Sequence, residues 1–430
     1  MMRVRSLHPA HEATSAHACA VYPFLADAGG WAPGVYIGQD WLGGGGAFCY
    51  DPWQLAGRQH ITGPNLCIVG QLGKGKSALR KAYLWRQLAF GREAVTLDPK
   101  GEDGPLCRAL GVEPIRLEPG GAVRLNPLDA RIGDIDRTAA EVRAERLSML
   151  YAVIGAVLGR PLSPQERSAC RVALEAATAA AAHGEQPTLP GVAEAMFHPD
   201  GTAAAAFGLS SRQLAEGSLA AAMALVELIE GPLAGMFDSA TTRGLRLGGP
   251  LTSFDLSAVR GSEALGILIV CAATWLHTLL CRDDGVKRIL VLDEAWACLR
   301  SLELARWLQS AYKLARAHGY QCVAVLHRFS DLLAAGAAGS EQVAIARGLL
   351  ADSETQVVFS LPPAEVEHTK DLLGLTDCEA SILSGLPRGR ALWRVGTRSF
   401  LVQLELSDAE RALCDTDAAV VDRPAADGER

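Results

Sequence analysis

Gly70-Gln71-Leu72-Gly73-Lys74-Gly75-Lys76-Ser77 is the stretch that decides the fold. It reads G-x-x-x-x-G-K-S, and its flanks are those the pattern needs. Asn65 to Val69 is a short apolar run with strand character, and Lys76 to Phe90 reads as a helix. Glycines allow backbone N–H groups to turn inward with no Cβ in the way, and a helix N-terminus adds positive potential where phosphates would lie. The predicted nucleotide cradle is Gly70, Gly73, Lys74, Gly75, Lys76, Ser77 and Ala78. Lys76 is expected to bridge the β- and γ-phosphates of ATP and Ser77 to ligate Mg2+. An ordinary glycine-rich turn is the competing reading, and the correct flanks weigh against it.

A phosphate loop needs carboxylates. Arg288-Ile289-Leu290-Val291-Leu292-Asp293-Glu294-Ala295-Trp296 is an apolar strand ending in an acidic pair. Open α/β sheets bind ligands at the carboxyl ends of their strands. Asp293 is therefore the expected metal partner and Glu294 the residue that orients the attacking water. Asp98-Pro99-Lys100-Gly101-Glu102 closes the strand Ala94 to Leu97 on the same sheet edge; in isolation it reads as a Pro-Gly turn with solvated charges. Arg316 lies near the end of the helix Leu302–His318 and His327 at the tip of the strand Gln321–Leu326. Arg316 is the candidate arginine finger, reaching a neighbouring subunit, and His327 the candidate γ-phosphate sensor. A surface-helix arginine and a strand-end histidine are the blander alternatives, and Arg328 and Arg347 are rivals for the finger.

Outward from these motifs, strands and helices alternate over 61–126 and again over 236–405, which predicts an α/β fold with a mostly parallel sheet covered on both faces. Between them, 127–235 is rich in Ala, Leu and Glu at helical spacing, with stretches such as Ala139–Leu158, Pro164–Ala182 and Leu219–Ile229, and reads as an all-helical insertion. Residues 1–60 are expected to form an N-terminal β-rich segment, with Gly43 to Gly46 as a turn between short strands, and 406–430 a C-terminal tail that is polar from Asp415 to Arg430. The chain has 430 residues, 49% apolar and 21% charged, a globular profile. A formal net charge of −7 gives no general basic surface, so any DNA contact must be local. Eleven scattered cysteines without C-x-x-C spacing argue against a zinc knuckle and for free thiols in a reducing compartment. No apolar h-region follows the N-terminal arginines, so no signal peptide is expected. Leu265–Cys281 is almost wholly apolar but short for a membrane span, and a buried helix is the expected reading.

The phosphate loop, D-P-K-G-E at 98–102, N-P-L at 126–128, F-D-S-A-T-T at 237–242, S-F-D-L-S at 253–257, D-E-A-W at 293–296 and L-P-R-G-R-A-L-W-R-V at 386–395 occur in order. Together they resemble the large assembly ATPase of conjugative type IV secretion systems, in the FtsK–HerA superfamily, over roughly residues 60 to 405. The resemblance implies a RecA-like P-loop motor domain interrupted by a helical domain. It implies a ring homo-oligomer, usually a hexamer, with nucleotide at subunit interfaces, Arg316 as finger and position 327 as sensor. Family members typically carry Gln at that sensor, where this chain has His327. They also carry a large N-terminal domain, whereas about 60 residues precede the motor here; a compact form, or a separate chain supplying that part, is the expectation. The implied function is an ATP-hydrolysing motor that powers assembly or substrate transfer. Its partners would be the secretion channel and inner-membrane components, at the inner face of the cell membrane. A DNA translocase or coupling ATPase of the same superfamily is the alternative, and a scaffold that binds ATP without turnover is a third class.

Overall fold

The computed structural model describes residues 33–42, 44–129, 138–182, 185–205, 208–242, 245, 248–260, 265, 268–269, 280, 284–294, 302–330 and 340–414. In chain order the strands are β1 (Val35–Asp40), β2 (Gly46–Tyr50), β3 (Leu66–Val69), β4 (Glu93–Asp98), β5 (Ile115–Arg116), β6 (Leu251–Asp255), β7 (Arg288–Asp293), β8 (Gln321–Leu326), β9 (Thr355–Phe359), β10 (Arg390–Val395) and β11 (Arg398–Leu404). They form one sheet in the order β2-β1-β11-β10-β9-β3-β8-β7-β4-β6-β5. From β9 to β5 every neighbour pair is parallel; β10, β11, β1 and β2 add an antiparallel wing beyond β9. Strands β3, β7 and β8 are buried along their whole length, as continuous runs of Ile, Leu, Val and Cys require when both sheet faces are covered.

Helices cover the two faces. The helices preceding the insertion are α1 (Pro52–Gly57), α2 (Lys76–Ala89) and α3 (Gly104–Ala109). Leu79, Tyr83 and Leu84 of α2 pack with Ile68, Val291, Val323 and Val325 on one face. Between β5 and β6 every described element is helical: α4 (Ala139–Leu158), α5 (Pro164–Ala180), α6 (Leu189–Phe197), α7 (Gly201–Ala205) and α8 (Ser211–Glu230). Then follow α9 (Leu302–His318), α10 (Glu341–Ala351), α11 (Pro363–Leu373), α12 (Asp377–Leu383) and α13 (Asp408–Cys414). Leu308, Tyr312 and Ala315 of α9 pack with Leu290, Leu292 and Leu326 on the opposite face, in a core that continues into Leu150 and Val153 of α4.

Local chemistry sets the helix starts. Thr138 with Glu141, Ser163 with Glu166 and Ser210 with Gln213 form capping boxes, each satisfying two otherwise orphan N–H groups. The Ser210 box starts α8 well before the apolar run at Leu219. Two stretches quoted above for the resemblance meet each other: Asn126 N donates to Thr241 Oγ1 at 3.1 Å and Arg124 N to Thr242 Oγ1 at 2.8 Å. They stitch the two ends of the helical segment together. Most of Leu265–Cys281 lies outside the described residues, while Leu265, Leu268, Ile269 and Leu280 are buried in the core. Among the described residues no helix is long and apolar enough to cross a membrane.

One ion pair ties α2 to the far side of the sheet edge. Arg80, 1% exposed, donates from both terminal nitrogens to the Asp103 carboxylate, at 2.7 and 3.2 Å. Removing one partner of a buried pair strands the other charge. Arg80→Met is expected to lower unfolding free energy by about 3–5 kcal/mol. Urea titration followed by circular dichroism measures this, and a loss below about 1 kcal/mol would show that the pair contributes little.

Candidate active site

The phosphate loop follows β3 and is shaped by its neighbours. Gly70 leaves the strand at φ +154°, where a Cβ would lie 2.5 Å from the Cβ of Phe359. Gly75, at φ +116°, would press a Cβ against the Phe359 ring at 3.2 Å and Gly389 at 3.3 Å. Any other residue here would push into β9 or the turn before β10. Two backbone hydrogen bonds fix that wall: Gln71 N donates to Ser360 O at 3.0 Å and Gly389 N to Lys74 O at 2.9 Å.

Lys76 opens α2, with Ser77 and Ala78 in the first turn. The Lys76 side chain is buried, and its ammonium donates to Gly70 O and, at 2.8 Å, to Gln71 O. Burial pushes its pKa down to about 8, with the Lys100 charge adding and Asp293 and Glu102 opposing.

Strand order brings the acidic pair alongside. Strand β8 lies between β3 and β7, so His327, just after β8, emerges between the phosphate loop and Asp293-Glu294. Asp293 Oδ1 accepts the Glu294 N–H at 3.0 Å. Asp293 Oδ2 is buried and has no hydrogen-bond partner among the described residues. An orphaned carboxylate oxygen at a phosphate loop, with a serine hydroxyl at the loop's end, is the hard oxygen donor set that suits Mg2+. Asp293 and Ser77 therefore fit a magnesium site.

Glu294 is buried and left-handed, at φ +57°. Its Oε1 faces Arg260 Nη2 at 3.6 Å, Lys100 Nζ at 3.7 Å and His327 Nε2 at 3.8 Å. The His327 contact, followed by the Lys100 and Arg260 charges, holds the Glu294 carboxyl below the usual range against the opposing effect of burial. His327 and Glu294 are thus brought together.

Lys100 corrects the sequence reading. Its charge is not solvated: the side chain is 9% exposed and lies 3.4 Å from Asp293 Oδ1. The reason is register. Leu97 pairs with Leu292, so the turn after β4 emerges beside the acidic pair. Arg260, a little beyond β6, was not singled out from sequence either; β6 pairs with β4 at Asp255 and Asp98, one strand further along the same edge. Both depend on strand order, which local sequence does not encode.

Arg316 is placed differently. It stands exposed in the last turn of α9, immediately before β8 begins, and so lies at the opposite sheet edge from the phosphate loop of its own chain. Arg328 and Arg347 are exposed as well, on the turn after β8 and on α10. Ala295 and Trp296 of the D-E-A-W stretch lie outside the described residues.

The family model described as AAA-like domain matches residues 53–348. The chain belongs to the AAA-like domain family. The matched stretch of this AAA-like domain holds the phosphate loop, Lys100, Arg260, both carboxylates and His327, and ends before Gly389 and the strands β10 and β11 that buttress the loop. No curated protein matches the sequence. Among solved structures, VirB4 of Thermoanaerobacter pseudethanolicus superposes with a TM-score of 0.68 at 21% identity, covering 88% of this chain and 98% of that one. The bacterial conjugative coupling protein TrwB superposes with a TM-score of 0.53 at 18% identity, covering 80% of this chain and 84% of that one. TrwB in complex with ADP and Mg2+ gives 0.53 at 19% identity, covering 81% and 86%. The fold shared with them is the RecA-like α/β fold with a mostly parallel central sheet.

The Lys76 environment makes a pH prediction. The ammonium is charged below its pKa, so affinity for an anionic chain should hold below pH about 8 and decline above it, well short of the ordinary lysine value of 10.5. Calorimetric titration of the protein with Mg-tripolyphosphate from pH 7 to 9.5 reads this directly. Lys76→Ala should keep its circular dichroism spectrum and lose both the binding and its pH slope; unchanged binding would remove Lys76 from the site.

Proposed function

We propose that this protein is an ATP-hydrolysing motor of a conjugative, type IV-like secretion apparatus, powering assembly or substrate transfer. The observation that carries the reading is the shared sheet edge: a glycine-shaped phosphate loop, an orphaned Asp293 oxygen and a strained, cation-ringed Glu294. The likeness to VirB4 across 98% of that structure supports the type of machine.

In this reading the N–H groups from Gly70 to Ala78 and the Lys76 ammonium bind the β- and γ-phosphates. Ser77 and Asp293 would hold Mg2+, which when bound would supply neutralising charge to the phosphate oxygens. Glu294 accepts a hydrogen bond from the attacking water and aims it, and His327 contacts the γ-phosphate or that water. Arg316, remote from its own loop, acts on a neighbouring subunit's nucleotide in a ring homo-oligomer, a hexamer by analogy. Residues 61–126 and 236–405 form the motor, 127–235 an all-helical domain, 1–60 an N-terminal segment and 406–430 a tail. Partners would be the secretion channel and inner-membrane components, holding the ring at the inner face of the cell membrane.

The TrwB likeness favours a second reading, a DNA-translocating or coupling ATPase, over a shorter match and a lower TM-score. Steady-state ATPase rates with and without single- and double-stranded DNA separate the two. DNA-independent turnover that vanishes in Glu294→Gln is the expected result, and strong DNA stimulation would transfer the assignment to a translocase. Arg316→Ala should retain Mg-ATP binding and lose turnover about 10³-fold or more, the usual weight of a finger in trans. Full activity in that variant would exclude Arg316 and direct the same assay to Arg347.

A further inference from the structure

We infer that Lys100 is a positioning residue for Glu294, held in place from the helix that carries the phosphate loop. This rests on the ATPase reading above. Three groups approach Glu294 Oε1, and their exposure distinguishes them. The Arg260 side chain is 55% exposed and that of His327 is 24% exposed, so water screens the first heavily and the second in part. Lys100 is 9% exposed, and its ammonium also reaches Asp293, so one buried charge spans both carboxylates. That bridge fixes the water-orienting carboxylate relative to the metal-binding one.

The position of Lys100 is set by the turn it sits on. Asp98 Oδ1 accepts the Lys100 N–H at 3.1 Å, and Asp98 Oδ2 accepts the Asp103 N–H at 2.8 Å. Gly101, at φ +68°, lets the turn close against Asp255 and Ser257, where a Cβ would meet side-chain oxygens at 3.2 Å. The turn ends on Asp103, whose carboxylate is clasped by Arg80 of α2. Arg80 follows Lys76 by one helical turn. A chain of buried and half-buried contacts therefore runs from the helix that would hold the phosphates, through Arg80, Asp103 and Asp98, to Lys100 and Glu294. Its effect is geometric: the carboxylate that aims the water is kept in register with the loop that holds the phosphate.

Lys100→Met and Lys100→Arg, each in wild-type and Glu294→Gln backgrounds, test this. The measurements are single-turnover hydrolysis, steady-state kcat and KM, and Mg-ATP affinity by calorimetry. Lys100→Met should lower kcat between about ten- and a hundredfold, the cost of misplacing a catalytic group by about an ångström. Nucleotide affinity should stay within about threefold, since the phosphate contacts of Lys76 and the loop are untouched. Lys100→Arg should recover part of the rate. The decisive comparison is the double variant: Lys100→Met with Glu294→Gln should be no slower than Glu294→Gln alone, because residues acting through one another are non-additive. Full additivity would overturn the inference, as would an affinity loss parallel to the rate loss, which would place Lys100 on the phosphates. Unchanged kcat would do the same. Should Lys100→Met not fold, Lys100→Gln supports the same comparison. Wild-type turnover in Glu294→Gln by itself would overturn the inference by removing the water-aiming role of Glu294, whereas absence of turnover in the wild-type protein is the separate result that would remove the ATPase reading.

Discussion

Among the described residues seven strands run parallel, and a parallel sheet has two apolar faces that must be covered. That requirement orders everything else. Among the described residues, helices cross the faces between parallel strands, with α2 on one side of the sheet and α9 on the other. Every strand then ends at the same edge. The phosphate loop, the turn of Lys100, the stretch bearing Arg260, the acidic pair and His327 meet there from five different strands. None is near another in sequence except Asp293 and Glu294. The site is a consequence of strand polarity, and the antiparallel wing completes it by supplying Gly389 against Lys74.

Strand order also separates what local sequence encodes from what it does not. The phosphate loop was legible because its chemistry is local: glycines, lysine and serine lie within eight residues, between a strand and a helix that announce themselves by composition. Asp293 and Glu294 were legible because an apolar run ending in two acids has few uses beside such a loop. The alternation of strands and helices gave the mostly parallel sheet. Lys100 was misread because Asp-Pro-Lys-Gly is a good turn in isolation, and its burial depends on β4 pairing with β7 across nearly 200 residues. Arg260 was missed for the same reason. The pairing of β1 with β11 was equally hidden, since nothing local in Val35–Asp40 specifies a partner more than 360 residues away.

Charge shows the same separation of scales. The chain as a whole is acidic, at −7. Yet its most buried carboxylates sit among Lys76, Lys100, Arg80, Arg260 and His327. Screening over roughly 8 Å at physiological salt makes the global excess nearly irrelevant at such a site, where distances are 3–4 Å and water is scarce. The cations gathered there suit an anionic phosphate chain. They also hold the buried Glu294 carboxyl below the usual range.

Glu294 shows what the arrangement costs. A non-glycine residue in the left-handed region carries strain on the order of 1–3 kcal/mol, and it persists only where the surroundings over-determine it. Glycine at this position would relieve the strain. It would also remove the carboxylate. The surroundings resolve the conflict: the Glu294 N–H is tied to Asp293 Oδ1, and the side chain is drawn under three positive or proton-bearing groups. A sequence selected for stability alone has no reason to put a buried acid on a strained backbone. The residue is explained when the carboxylate itself is what the site requires, which is the physical argument for reading this sheet edge as a place where water is aimed at phosphorus.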